Sequence, residues 1–361
     1  MPADSINDTP TDRAPDQAAP HEQGRPTVRP VPETMTAVTA RGYGQPDLLA
    51  VETDVLVPSP GPGEMLIEVH ASSLNALDWH FLTGTPYFLR LMAGLRTPKR
   101  LTPGADVAGL VAAVGEGVTE FAVGDAVFGE CEGGGCGEYL LVTPAQVVAI
   151  PDGVSFEDAA ATPVAGLTAV QGLRTHAGVQ PADHVLVNGA AGGVGTFAVQ
   201  IAKALGATVT AVCSTTKVDM VRGLGADEVV DYKTEDVVPG GPRFDVMLDN
   251  VGNHPPRDVK SMLRPGARYV AVSGPKDNKW LDPMPRIIGM ALALWRADAS
   301  FHQFTASPKT EDLTYLAEAL ADGRIVPAID RVVGLDGVVD GMVEIGSGHA
   351  RSKIVVVPHS R

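Results

Sequence analysis

The chain has 361 residues, 44% of them hydrophobic, with 28 Lys and Arg against 43 Asp and Glu, for a formal charge of −15. The length exceeds what one core usually holds and predicts two domains, and the apolar content excludes a wholly disordered chain. An acidic chain with no dense Lys/Arg run disfavours nucleic-acid binding, and three cysteines exclude a disulfide scaffold and fit a reducing compartment such as the cytoplasm.

Residues 1–33 hold seven prolines and almost no large apolar side chain. This composition predicts a disordered, poorly packed tail. No membrane span is expected: the longest apolar candidate, Ile287 to Trp295, falls well short of the roughly 20 residues required. From Met35 to Phe156 short apolar runs alternate with Gly and Pro. Met35–Ala40, Met65–His70, Ala105–Val114, Ala126–Phe128 and Glu138–Val142 read as strands, so this half is mostly β.

From Glu157 the texture changes. His184–Asn188, Thr208–Cys213, Glu228–Asp231, Val246–Asn250 and Tyr269–Ser273 read as short buried strands. Val194–Leu205 and Lys217–Leu224 between them read as helices, closed by Gly206 and Gly225 as left-handed caps. Alternating strand and helix predicts a parallel sheet with right-handed crossovers. After Phe301 come a helix, Thr310–Leu320, and β-like pieces ending at Lys353–Val357, which break the alternation and suit a return to the first domain.

The most informative stretch is His184 to Gly195, followed by a helix. Strand, glycine turn and helix form the context of a dinucleotide-binding turn, with Ala190 where G-x-G-x-x-G has its first glycine. Gly192, Gly193 and Val194 would bring backbone N–H groups and the helix dipole to a pyrophosphate. A tight structural turn would look similar; the flanking elements favour the cofactor. No Walker-type lysine follows. About 20 residues on, where an acid would bind an NAD ribose, stand Ser214, Thr215, Thr216 and Lys217. Hydroxyls and a cation there suit the 2′-phosphate of NADP(H), and Ser214 also suits a helix N-cap.

Several segments together resemble one family: Ser73-Leu74-Asn75-Ala76-Leu77-Asp78-Trp79, Pro103 to Gly109, Gly124 to Gly129, Pro163 to Ala169, Asn188 to Gly195 and Leu224 to Tyr232. The chain from Met35 to Val357 resembles the medium-chain dehydrogenase/reductase superfamily, in its zinc-independent quinone-oxidoreductase-like branch. The resemblance implies an α/β fold: a GroES-like β domain (34–156, completed by 302–361) and a Rossmann doubly wound parallel-sheet domain (157–301), with the nicotinamide in the cleft between them. It implies a homodimer through Rossmann edge strands. It places Asn75 and Asp78 near the nicotinamide, Thr168 on the nicotinamide side and Tyr232 towards the adenosine phosphate. Asn250, Val251, Ser273 and Gly274 end strands, where a doubly wound sheet binds its ligand; Asn, Ser and Gly also favour plain turns.

Zinc-dependent relatives carry a Cys near the segment at Ser73 and Gly-His-Glu where this chain has Gly104-Ala105-Asp106. Cys131 and Cys136 with no neighbouring His make a poor site, so no metal is expected. Charge on a substrate oxygen then needs another donor. The candidates are the Asn75 amide, with Asp78 orienting its loop, His80 as a general acid, and the Tyr87 phenol. The expected activity is zinc-independent, NADPH-dependent hydride transfer to a small hydrophobic quinone or α,β-unsaturated carbonyl. The alternatives are a zinc-dependent alcohol dehydrogenase and a non-catalytic NADPH-binding sensor or scaffold.

Overall fold

The computed structural model describes residues 27–87, 90–98, 102–241, 243–273, 284–348 and 350–359. Most of the expected tail therefore lies outside the described residues. Its end departs from the expectation. The Arg29 guanidinium lies 2.7 Å from Glu68, which is fully buried, and Val28 packs on the cluster around Met35 and Tyr139. A buried carboxylate needs a cation, and Arg29 supplies it.

The first half is β-rich. β1 (Thr34–Ala40) and β2 (Leu49–Leu56) pair as an antiparallel ribbon. β3 (Met65–Leu74) is followed by α1 (Ala76–Thr83) and the short α2 (Arg90–Ala93). Then come β4 (Asp106–Val114), β5 (Ala126–Glu130), β6 (Tyr139–Val142) and β7 (Val147–Ala149). Two short helices lead out, α3 (Phe156–Ala160) and α4 (Pro163–Val170).

The second half alternates: β8 (His184–Asn188), α5 (Gly193–Ala204), β9 (Thr208–Cys213), α6 (Val218–Gly223), β10 (Glu228–Asp231), β11 (Phe244–Asp249), α7 (Pro256–Met262), β12 (Leu263–Ala271), α8 (Met284–Trp295) and β13 (Ser300–Gln303). α9 (Thr310–Ala321), β14 (Ile329–Val333), α10 (Val338–Ser347) and β15 (Lys353–Val356) end the chain.

β8 to β13 form one six-stranded sheet in the order β10-β9-β8-β11-β12-β13, every neighbouring pair parallel. This is the 3-2-1-4-5-6 order of a Rossmann domain, with its switch point between β8 and β11. Val185, Leu186 and Val187 have no exposed surface, as a central strand covered on both faces requires. α5 turns Phe197, Ala198, Ile201 and Ala202 onto that core. Gly206 and Gly225 adopt the left-handed backbone expected of them.

The other sheet runs β14-β15-β3-β4-β5-β7, with β6 on β3. β15 joins it between β14 and β3, so the last strand lies beside the first long one. The domain limits at 156/157 and 301/302 fall inside elements. α3 begins at Phe156 and packs on β3, β4 and β5; β13 spans 300–303. α9 packs Leu313 and Leu316 into the Rossmann core and Ala317 against Ala71, Phe128 and Val355 of the β domain. No helix among the described residues is long and apolar enough to cross a membrane.

Candidate active site

The glycine loop leaves β8 at the switch point. Gly189 has φ +76°. A Cβ on Gly195 would lie 2.2 Å from the Gly189 carbonyl oxygen, so the turn itself forbids a side chain there. Gly192 differs. It caps α5 with an extended backbone, and a Cβ on it would meet nothing nearer than 3.6 Å. The turn does not need this glycine, whereas a phosphate lying close over the backbone would. Gly193 and Val194 start α5, so their N–H groups lie in its unpaired first turn. The loop thus fits a dinucleotide.

Around it the strand ends are tied together. The Asn188 amide donates to Asp249 (2.8 Å) and Asn253 (2.9 Å). Tyr269 donates its hydroxyl to Asp249 (2.7 Å), and the Val251 and Gly252 N–H groups donate to the same carboxylate. Asn250 donates to the Asn188 carbonyl, and its own Oδ1 is buried without a partner among the described residues. That leaves one acceptor at the switch point unused. β12 ends at Ala271, before Ser273, which is exposed; Gly274 lies outside the described residues.

The C-terminus of β9 carries Ser214, Thr216 and Lys217. Ser214 precedes a short 3-10 turn, and Tyr232 donates its N–H to the Cys213 carbonyl, which brings Tyr232 beside Ser214. The Tyr232 ring is 49% exposed. One feature escaped the sequence: β10 brings Asp231 alongside, where Thr215 Oγ1 donates to it at 2.6 Å. The Lys233 N–H also binds Asp231, and hydrogen bonds led by Thr215 hold its carboxyl below the usual range. The Lys217 ammonium reaches the Ala350 carbonyl at 3.5 Å.

The β domain contributes a buried polar cluster. Asp78 occupies the third position of α1 and accepts the Asn75 N–H (2.8 Å), the return limb of a capping box, and the Gly104 N–H (2.8 Å). Burial nonetheless raises its carboxyl to about 6. The Asn75 side chain turns the other way. Its Oδ1 accepts from Lys353 Nζ at 2.5 Å, and its Nδ2 donates to Asp106 Oδ2 (2.8 Å) and the Ser73 carbonyl (3.3 Å). An ammonium on one side and a carboxylate on the other fix which end of the amide is which. Asp106 also pairs with Lys353 (3.0 Å), accepts the Ser73 hydroxyl and accepts the Val164 N–H from α4 (2.8 Å).

Both amide hydrogens of Asn75 are engaged within the protein, on Asp106 and on the Ser73 carbonyl. Lys353 and Asp106 are the residues that sequence reasoning missed as a pair, 247 positions apart. Lys353 is 1% exposed, and a Cβ placed on Gly193 would lie 3.3 Å from its Cδ. The Ser352 N–H donates to the Ala191 carbonyl. One segment therefore touches both the glycine loop and the cluster. A Lys opening a terminal strand was the available signal, since buried lysines are rare without a partner.

The other expected residues make contacts of their own. The His80 ring Nδ1 is 2.7 Å from the Thr85 carbonyl. A carbonyl only accepts, so Nδ1 carries the proton and a neutral ring has none left at Nε2. Tyr87 stacks under the Arg90 guanidinium, 4.7 Å away. The Thr168 hydroxyl donates to Val164 within its own helix (2.7 Å). Among the described residues no three His, Cys, Asp or Glu side chains are grouped to hold a metal, and Cys131 turns its thiol onto the Gly104 and Ala105 carbonyls.

A parallel sheet in this order, a glycine loop at its switch point and a strand returning to a GroES-like sheet define a two-domain, dinucleotide-dependent oxidoreductase. Residues 61–152 match the alcohol dehydrogenase GroES-like domain, and residues 224–356 match the family described as zinc-binding dehydrogenase. The chain is 33% identical to the chloroplastic quinone oxidoreductase QR1 of Triphysaria versicolor, covering 90% of this chain and 98% of that one. It is 34% identical to a trans-enoyl reductase of Aspergillus terreus (82% and 86%) and 32% identical to a mitochondrial NAD(P)H oxidoreductase of Bos taurus (92% and 93%). The solved quinone oxidoreductase of Coxiella burnetii superposes with a TM-score of 0.79 at 27% identity, over 90% of this chain and 100% of that one. The chain belongs to the quinone-oxidoreductase-like branch of the medium-chain dehydrogenase/reductase superfamily.

Proposed function

We propose that this oxidoreductase is an NADPH-dependent, zinc-independent reductase of quinones or α,β-unsaturated carbonyls. The observation that carries the reading is the junction at Lys353, where the glycine loop and the buried Asn75–Asp106 pair meet. The similarity to quinone and enoyl reductases favours the same acceptors.

In this reading Gly192, Gly193 and Val194 receive the pyrophosphate, whose charge meets the first N–H groups of α5 and the positive end of its dipole. Ser214, Thr216 and Lys217 take the 2′-phosphate, with Tyr232 against the adenosine. Thr216 and Lys217 favour NADPH because Asp231, the nearby acid, is engaged by Thr215 and the Lys233 N–H. Thr168, Asn250, Val251 and Ser273 border the nicotinamide half. A reduced nicotinamide, when bound, supplies the hydride. Asn75, Asp78, Asp106 and Lys353 hold the floor of the cleft, while His80 on α1 and Tyr87 in the segment after it would face the acceptor. The three cysteines, all buried and none in a disulfide, suit a reducing compartment, here taken as the cytoplasm. A homodimer through the Rossmann sheet edge belongs to the same reading.

The test is NADPH and NADH oxidation against a panel of quinones and enones, with metal analysis of the purified protein. Turnover on such an acceptor, with NADPH preferred and no stoichiometric zinc, is expected. Tight NADPH binding with no turnover on any acceptor would overturn the enzyme reading in favour of a sensor or scaffold.

A further inference from the structure

Glu130 closes β5 and has no part in the site as described so far. The β4–β5 register sets it directly opposite Asp106. Asp106 is opposite Ser73 on β3, and Ser73 is opposite Val355 on β15. Residues opposite one another in an antiparallel ladder share a face, and so do residues two apart on one strand. Ser73, Asp106, Glu130 and Lys353 therefore stand on one face at one end of the sheet. It is the end where Asp106 receives the Val164 N–H and where Lys353 runs against Gly193.

The hydrogen bonds of this patch are unequally shared. Ser73, Asn75 and Lys353 all direct donors at Asp106. Glu130 Oε2 is buried and has no hydrogen-bond partner among the described residues. An ionised carboxylate is costly in such a place, because nothing replaces the water it loses. The charges acting on it are the wrong sign as well: Asp106 opposite and Asp78 on α1 are acidic, and the Lys353 cation is bonded to Asp106 and Asn75. Burial first, then the Asp106 and Asp78 charges, push the Glu130 carboxyl up to about 8. The neighbouring thiols add no cation; Cys131 turns to backbone carbonyls, and burial pushes the Cys136 thiol up.

From this geometry we infer that Glu130 is the general acid of the site, the group that protonates the acceptor after hydride has reached it. The inference rests on the reductase reading above. Hydride addition leaves an enone as an enolate, or a quinone as a hydroquinone anion, one proton short of product. The Glu130 O–H bond breaks, its electron pair stays on the carboxylate, and the proton goes to the α-carbon of the enolate or the oxygen of the hydroquinone anion. The carboxylate then regains a proton from water. His80, with its Nδ1–H held by Thr85, would need a second proton before it could donate from Nε2. A neutral carboxylic acid needs none.

The experiment compares the full chain with E130Q and E130D. Glutamine keeps the shape of the side chain but has no proton to transfer. E130Q is expected to lower kcat on an enone about 100-fold, within the usual range for losing a general acid. NADPH affinity, read by fluorescence titration, should hold, and E130D should recover part of the rate. Independently of turnover, infrared difference spectra should show a protonated-carboxyl C=O band that is lost near pH 8 in the wild type and is missing from E130Q. Unchanged turnover in E130Q would overturn the assignment while leaving the reductase reading intact. Absence of that band from the wild type would overturn it as well. A wild type that binds NADPH but reduces no acceptor would overturn the reductase reading, and this inference with it.

Discussion

The two halves of the candidate site are built in opposite ways. The glycine loop is made of backbone: consecutive residues, a turn, and the first N–H groups of α5. The cluster beneath it is made of side chains from β3, α1, β4, β5 and β15, drawn from positions 73 to 353. The first withstands most surface change but not an added methyl group where backbone meets backbone. The second tolerates shape change but not loss of a charge, because each buried group is balanced by another.

The largest effect is expected at the joint between the halves. K353M leaves Asp106 buried without its cation and should cost about 3–5 kcal/mol of stability, measured by chemical denaturation. K353M combined with D106N should be more stable than K353M alone. Equal stability of the two would show that the pair is not coupled and would break the contrast drawn above.

Next come the two glycines. G195A forces a methyl group into the Gly189 carbonyl and should lose roughly 1–3 kcal/mol with or without ligand. G192A has room and should melt like the wild type, yet bind NADPH more weakly in a fluorescence titration. If G192A bound normally, the open space above that residue would not be a phosphate seat. K217A should weaken NADPH about tenfold and NADH little, since one charge-assisted contact is worth about 1.5–3 kcal/mol at most.

A pH dependence tests the buried cluster in another way. Glu130 moves from an ordinary 4.5 to about 8 on folding. The folded state then holds a proton that the unfolded state has released, so stability falls as pH rises between those values. E130Q removes that penalty. It should melt with the wild type near pH 4 and progressively above it up to about pH 8, where the gap levels off. A constant gap across the range would mean the carboxyl is not raised.

Much of the fold was legible in the chain. His184–Asn188, Thr208–Cys213 and Glu228–Asp231 were readable as strands to the residue, because buried parallel strands are continuous β-branched runs. The glycines at 206 and 225 declared helix ends by needing positive φ. Helices with weak local signals escaped: α4, which starts at Pro163 in a small-residue run, and α10, whose apolar face emerges only against Leu74 and Ile354. Asn75 and Asp78 were visible through their segment, but the direction of the Asn75 amide was not. It depends on which charges arrive on either side.

The sequence by itself determined the strand–turn–helix of the cofactor loop, the alternation that makes a parallel sheet, and the hydroxyl-and-lysine run after β9. These are local, carried by residues within a few positions of one another, where periodicity and glycine stereochemistry act directly. Only the tertiary structure decided that Lys353 would thread between Asn75 and Asp106, that Asp231 would come beside Thr215, and that Glu130 would face Asp106 with one oxygen unpaired among the described residues. Those facts depend on strand register and on how the last strand returns to the first sheet. Buried electrostatics depend on which charges are brought within a few ångströms, and no spacing along the chain carries that distance.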